Sequence, residues 1–210
     1  MQGKLIIARH HESEWNHLGK WTGTRDVHLT DYGFKKSEDM GFLIKDLSID
    51  CAFASMEVRS IETLSCILNV CKKYEVPTEH NVALNERNYG DYTGKDKFEI
   101  EKILGEEEFK KLHRSWDYPI PNGESLKMVY NRVLPFFLEK ILPTVLKDKN
   151  VLVIAHGNSL RAIIKYIENI SDENISEVEA PFGAIIIYDL DHDGHMTKKE
   201  VRQTESNVPA

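Results

Sequence analysis

Two short segments, Lys4 to Ala8 and Val151 to Ala155, constrain this chain most. Each is an apolar run that stops at charged or polar residues. A strand with one wet face alternates apolar and polar side chains, but these runs do not alternate, so both faces must be covered. Cys51-Ala52-Phe53-Ala54 and Ala184-Ile185-Ile186-Ile187-Tyr188 read the same way. The segments between them carry helical spacing. Phe34, Met40, Leu43, Ile44 and Leu47 make a face over 33–47. Ile61, Leu64, Ile67, Leu68 and Cys71 make another over 57–73. The spacing is helical again from Ser125 to Leu146, where Pro135 and Pro143 predict a kink or break, and over 159–169. Buried strands alternating with helices predict an α/β fold: a three-layer sandwich with a mostly parallel central sheet flanked by helices.

A chain of 210 residues is long enough for a single domain, 1–210, with a sizeable core. The stretch from about 86 to 122 is polar and rich in glycine and proline. Short helices are expected at 97–104 and 106–114, with no strand, so it reads as a lid inserted over the sheet. Charge narrows the function classes. Lys and Arg number 27 against 34 Asp and Glu, a net charge of −7, which argues against a nucleic-acid partner. The cysteines, Cys51, Cys66 and Cys71, are odd in number and form no C-x-x-C, which argues against a disulfide framework or zinc site. No apolar run reaches the ~18 residues of a membrane span, and the start of the chain carries no signal-peptide pattern. A cytoplasmic protein with no membrane partner is expected, and the Asn169 and Asn174 Asn-x-Ser triplets are chance matches.

In parallel sheets, sites form at the carboxyl ends of the strands. The first run ends in Arg9-His10-His11-Glu12-Ser13, and Val151–Ala155 ends in His156-Gly157-Asn158-Ser159. Each places a histidine at a strand tip. Asn158 would cap the following helix, whose N-terminus attracts anions. With Arg59 and the Glu86-Arg87 pair, these groups suggest a phosphate pocket in an acidic protein. Arginine meets phosphate oxygens in pairs, a neutral histidine is a nucleophile toward phosphorus, and a carboxylate such as Glu86 can pass a proton to the departing oxygen.

The block Arg9-His10-x-Glu12-Ser13-Glu14-Trp15-Asn16, followed by Thr22-Gly23, resembles the signature of the histidine phosphatase superfamily. Further blocks resemble its cofactor-dependent phosphoglycerate mutase branch: Glu86-Arg87-Asn88-Tyr89-Gly90, Lys97, Arg114-Ser115-Trp116-Asp117-Tyr118-Pro119, Gly123-Glu124-Ser125-Leu126 and His156-Gly157-Asn158-Ser159-Leu160-Arg161. Together they cover essentially the whole chain. The resemblance implies a phosphoglycerate mutase-like fold and interconversion of 3-phosphoglycerate and 2-phosphoglycerate in glycolysis and gluconeogenesis. It implies that His10 is the nucleophile, that Arg9, Arg59 and His156 surround the phosphoryl group, and that Glu86 is the general acid and base. It assigns Ser13, Asn16, Thr22, Gly23, Arg87, Tyr89, Lys97, His113, Arg114, Gly157 and Asn158 to binding the phosphoglycerate. It implies priming by 2,3-bisphosphoglycerate, no metal, phosphoglycerates as small-molecule partners, and self-association as in many relatives.

Three positions depart from the family pattern. His113 stands where a second arginine is usual, which makes one cation pH-dependent, and Thr24 replaces a tryptophan. His11 replaces a glycine that lets backbone approach the phosphate. A histidine there either crowds the pocket or adds a hydrogen bond, and His11→Gly is expected to leave activity unchanged or raise it. The superfamily signature alone also allows a broader histidine phosphatase, and His11 and His113 keep open a weakly active relative that binds phosphorylated metabolites or a protein partner.

One further motif competes. Asp189-x-Asp191-x-Asp193-Gly194 and Glu200 fit an EF-hand calcium loop. An EF-hand needs an entering helix, and residues 183–188 are β-branched, so the segment reads as a turn after the last strand. The polar stretch from about Lys198 to Ala210 reads as a flexible tail, either a lid that closes over the site or a fraying terminus.

Overall fold

The computed structural model describes residues 3–204. A six-stranded sheet forms the middle layer, in the order β3-β2-β4-β1-β5-β6. Its strands are β1 (Lys4–Arg9), β2 (Cys51–Ala54), β3 (Thr78–His80), β4 (Val151–Ala155), β5 (Ala184–Leu190) and β6 (Met196–Gln203). β3, β2, β4 and β1 pair in parallel, whereas β5 runs antiparallel to β1 and β6 antiparallel to β5. The sheet is therefore mixed, parallel in its centre.

Each face buries one apolar cluster. On one side Leu5, Ile7, Val151 and Val153 meet helices α6 (Leu126–Phe136) and α8 (Gly157–Ile167). On the other, Ile6, Ala8, Leu152 and Ile154 meet α2 (Asp31–Leu43) and α3 (Val58–Val70). Successive side chains of β1 and β4 point to opposite faces, and both faces are covered, which is why these runs carry no polar alternation.

The helices sit close to where the spacing places them, with shifts at their ends. α2 starts at Asp31 because the Thr30 hydroxyl accepts the Gly33 N–H at 3.0 Å, and it ends at Leu43, short of Leu47. The 125–146 segment is broken as expected. Pro135 lies in α6, a π turn covers Phe137–Ile141, and Pro143 lies in the first turn of α7 (Leu142–Val145). α8 starts two residues early, at Gly157, so Asn158 is not its cap. Ser159 Oγ accepts the His156 N–H at 3.1 Å instead.

Two strands went unseen in the sequence. β3 has three polar, exposed residues and no apolar signal. β6 is a correction to the flexible-terminus reading: residues 196–203 zip antiparallel onto β5, and backbone pairing holds them despite a polar sequence. The remainder of that stretch, 205–210, lies outside the described residues. The Asp191–His195 segment is the β5–β6 turn, where Asp191 Oδ1 accepts the N–H groups of Asp193 and His195. Asp191, Asp193 and His195 lie close together there, largely exposed.

Residues 86–122 contain α4 (Lys97–Leu104) and α5 (Glu106–Arg114), at the expected positions, and no strand. A short α1 (Glu14–His17) follows β1. Trp21, Tyr89, Ile100, Leu112 and Ile120 form a third apolar cluster in this region, separate from the two at the sheet. Gly90 ties it down: at φ +49° it lets the chain pass so close that a Cβ would lie 2.0 Å from the Pro121 carbonyl oxygen. Among the described residues no helix is long and apolar enough to cross a membrane.

Candidate active site

β1 and β4 are parallel neighbours with Arg9 opposite Ala155, so the residues that follow, His10 and His156, emerge side by side. The His10 N–H donates to the Ala155 carbonyl at 3.0 Å, and the two imidazole centroids are 4.8 Å apart. His10 is 2% exposed. Its Nδ1 lies 2.6 Å from the His11 carbonyl oxygen, which only accepts, so Nδ1 carries the proton and Nε2 carries a lone pair. Arg59 Nε donates toward that lone pair at 3.4 Å. Burial, and then the charges of His156, Arg59 and Arg9, hold the His10 pKa well below the usual histidine range. His10 is therefore neutral at neutral pH, with the Nε2 lone pair facing Arg59.

Arg59, in the first turn of α3, is 1% exposed. Its guanidinium donates to the carbonyls of Arg25 and Gly23 and to Glu57 Oε2 at 3.1 Å. Glu57 Oε2 also accepts the Glu86 N–H at 3.0 Å and lies 2.5 Å from His156 Nε2. Burial pushes Glu57 up, but His156 and Arg59 outweigh it, and the carboxyl sits below its ordinary range. One ionised carboxylate thus aligns an arginine, a histidine and the backbone of Glu86.

Glu86 is 6% exposed, and its Oε1 accepts the N–H groups of Arg87 (2.7 Å) and Asn158 (3.2 Å) and the Asn158 amide (3.1 Å). Burial raises its pKa, while His156, the Arg87 N–H, Arg9 and Asn158 pull harder and bring it to about 2. Glu86 is therefore ionised at neutral pH, the form that can accept a proton. A phosphate placed beside it adds negative charge, offsets those cations and raises its proton affinity, so that it can next act as an acid.

Arg9, Lys20, Arg59, Lys97, Arg114 and Arg161 face a common cleft, against Glu86 and Glu179. Lys97 is brought down to about 8 by burial and by Arg9 and Arg114. His113, the expected pH-dependent cation, is held well below its usual range by burial and then by Lys97 and Arg114, so it adds no charge near neutral pH. Around the cleft, Arg9 Nε, Trp21 Nε1 and Arg161 Nε are buried donors without a partner among the described residues. Buried groups of this kind are costly to leave unmatched, and a concave, donor-rich cationic site fits an anion with more than one charged end.

Of the residues singled out in the sequence, Arg9, His10, Asn16, Thr22, Gly23, Arg59, Glu86, Tyr89, Lys97, His113, Arg114, Gly157 and Asn158 line this cleft. His156, fully buried, stands behind the wall against His10. Ser13 and Arg87 also lie behind it. Ser13 Oγ donates to Asn16 Oδ1 at 2.7 Å, and Arg87 Nη2 donates to the Leu112 and His113 carbonyls, which anchors the end of α5. Sequence reasoning missed Lys20, Trp21, Arg161 and Glu179-Ala180-Pro181 in the wall, and Glu57 behind it. Arg161 closes a quoted block and Trp21 precedes Thr22, so proximity was a usable signal. Residues 179–181 belong to no motif. His11 does not crowd the cleft: its ring turns away, between Tyr32 and Phe182.

Three comparisons with known proteins bear on this site. Residues 5–202 match the model of the histidine phosphatase superfamily (branch 1). The chain is 40% identical over 203 residues to a 2,3-bisphosphoglycerate-dependent phosphoglycerate mutase of Parvibaculum lavamentivorans, covering 96% of this chain and 97% of that one. It is 42% identical over 197 residues to the protein of the same name from Bradyrhizobium diazoefficiens, covering 93% and 95%. Among solved structures, a putative α-ribazole-5′-P phosphatase from Escherichia coli superposes with TM-score 0.79 at 21% identity over 100% and 99% of the two chains. Bacillus stearothermophilus YhfR does so with TM-score 0.80 at 22% identity over 92% and 94%. At these identities the structures speak to the fold alone.

Proposed function

Because this chain belongs to the histidine phosphatase superfamily, and because its site joins a neutral buried histidine to a many-cation cleft, we propose that it is a phosphoglycerate mutase. It interconverts 3-phosphoglycerate and 2-phosphoglycerate in the cytoplasm, as a step of glycolysis and gluconeogenesis. The observation that carries the reading is His10, neutral, with its Nδ1 proton held and its Nε2 lone pair beside Arg59 in that cleft. The 40% identity to relatives named as mutases supports it. The domain is single, with residues 86–122 as its lid.

The donor set fits 2,3-bisphosphoglycerate: the cleft offers arginine and lysine to two phosphates and a carboxylate at once. When bound, that compound supplies the phosphoryl group that primes the enzyme. His10 Nε2 receives the group as a phosphohistidine, while Nδ1–H stays on the His11 carbonyl. Arg9, Arg59 and the neighbouring His156 stabilise the charge spread over the transferring oxygens. When the phosphoryl group passes to a substrate hydroxyl, the N–P bond breaks and its electron pair returns to Nε2. The new O–P bond forms as Glu86 takes the hydroxyl proton. In the opposite direction Glu86 returns that proton to the departing oxygen. Lys97, Arg114 and Arg161 hold the far anionic end so that the substrate can turn without leaving. Asn16, Thr22, Gly23, Tyr89, neutral His113, Gly157 and Asn158 shape the wall, with Ser13 and Arg87 as its supports.

A coupled assay of 3-phosphoglycerate conversion, with and without 2,3-bisphosphoglycerate, tests this. Turnover that rises with the bisphosphate, with little free phosphate released, is expected. Phosphate release without 2-phosphoglycerate would make the protein a phosphatase instead.

A further inference from the structure

The peptide unit between His11 and Glu12 is gripped from both ends. Its carbonyl oxygen accepts the His10 Nδ1 proton at 2.6 Å. Its N–H donates to the His11 ring, at Nδ1, over 2.8 Å. The His11 side chain thus reaches back onto the peptide that holds the nucleophile. Because Nδ1 accepts, the proton of the neutral His11 ring lies on Nε2, which is fully buried and has no partner among the described residues. Burial and nearby Lys36 and Arg9 lower the His11 pKa to about 4, so the ring stays neutral at physiological pH. The ring is clamped between Tyr32, at 5.6 Å, and Phe182, at 5.7 Å, and the backbone N–H of His11 rests on Thr63 Oγ1. A phenyl ring would fill the same space without leaving a polar edge unpaired. The molecule keeps an imidazole there at the cost of an orphaned Nε2–H, and its one hydrogen bond is the one to the Glu12 N–H.

We propose that His11 is a positioning residue for His10: its Nδ1 fixes the plane of the 11–12 peptide, so that the carbonyl on the other end holds His10 in the tautomer with a free Nε2. This rests on the reading of His10 as the nucleophile. A trans peptide points its N–H and C=O in opposite directions, so a bond at one end resists rotation at the other. The two bonds also polarise each other through the amide, which strengthens the acceptor facing His10. A glycine at position 11 leaves the Glu12 N–H without this partner. The earlier expectation that His11→Gly is neutral or beneficial is therefore replaced by an expected loss.

Three proteins test the proposal: wild type, His11→Phe and His11→Asn. Phenylalanine keeps the ring and removes the acceptor. Asparagine places Oδ1 as many bonds from the Cα as Nδ1. The first readout is the nitrogen-15 NMR of the imidazoles at pH 7.5. Wild type should show His10 as a single Nδ1–H tautomer and a scalar coupling across the hydrogen bond from the Glu12 amide nitrogen to His11 Nδ1. His11→Phe should show a mixed His10 tautomer and a kcat lowered about tenfold, the worth of roughly one hydrogen bond, with KM within about twofold. His11→Asn should restore both. Absence of the coupling in wild type overturns the proposal, and so does a His11→Phe protein that keeps tautomer and kcat. Should wild type show no phosphoglycerate turnover, the functional reading falls, while the coupling and the tautomers still decide the role of His11.

Discussion

Glu57→Gln is the most revealing perturbation of this site. In the wild type, Glu57 Oε2 serves Arg59, His156 and the Glu86 N–H at once, while Oε1 is buried without a partner. A glutamine can place its carbonyl oxygen where Oε2 stands and its amide where Oε1 stands. The hydrogen-bond pattern then survives, and what is lost is the negative charge beside a guanidinium that is 1% exposed. Removing one member of a buried ion pair costs about 3–5 kcal/mol when nothing replaces it. Here the carbonyls of Arg25 and Gly23 still solvate Arg59, so we expect about 2–3 kcal/mol. For a chain of this length that lowers Tm by about 5–10 °C. The same change leaves the cleft more positive, so inorganic phosphate should restore more of the lost Tm in the variant than it adds to the wild type. Differential scanning fluorimetry with and without phosphate measures both. A variant that melts with the wild type in buffer would refute the argument that this carboxylate holds the arginine in place.

Other predictions follow the same geometry. Glu86→Gln keeps an acceptor for the Arg87 and Asn158 N–H groups but cannot take a proton. Turnover should fall about 10²–10⁴-fold with Tm nearly unchanged, and a loss below tenfold in steady-state kinetics would remove Glu86 from proton transfer. Gly90→Ala forces a side chain into φ +49° and a Cβ to 2.0 Å from the Pro121 carbonyl oxygen. Faster proteolysis within 86–122 and at least about 1–2 kcal/mol of lost stability are expected, and an unchanged digestion pattern would contradict this. The histidines set an acid limit. His10, His113 and His156 are lowered, and His11 lies at about 4. The unfolded chain takes up protons below about pH 6.5 while these buried rings do not, so stability present above that pH is lost as pH falls. His11 alone accounts for about 2 kcal/mol by pH 5, and equal urea midpoints at pH 7.5 and pH 5 would disprove it.

The sheet's core was readable because strands buried on both faces have no alternative composition. Leu5–Ala8 and Val151–Ala155 carry almost nothing but apolar side chains and lie where expected. The edges were not readable, because an edge strand is specified by backbone pairing. Thr78–His80 and Met196–Gln203 are polar and were passed over for that reason. The site divides in a similar way. His10, Arg59, Glu86 and Asn158 could be named from strand tips and motif spacing. Which residues face the cleft and which hold the wall depends on three-dimensional packing: Arg87 and Ser13 carry the right chemistry but spend it on α5 and on Asn16. Glu57 has no motif, and its role exists only where α3 meets the end of β4. The direction of the His11 ring could not be derived from composition, since a side chain after a strand tip can turn either way.

The central claim is that His10 Nε2 carries the phosphoryl group. The most direct measurement is to mix the protein with 2,3-bisphosphoglycerate, quench in alkali and map the modified peptide by mass spectrometry. The account predicts an acid-labile, alkali-stable phosphoryl adduct on His10 of wild type and none on His10→Ala. An adduct on any other residue, or one that persists in His10→Ala, would contradict it.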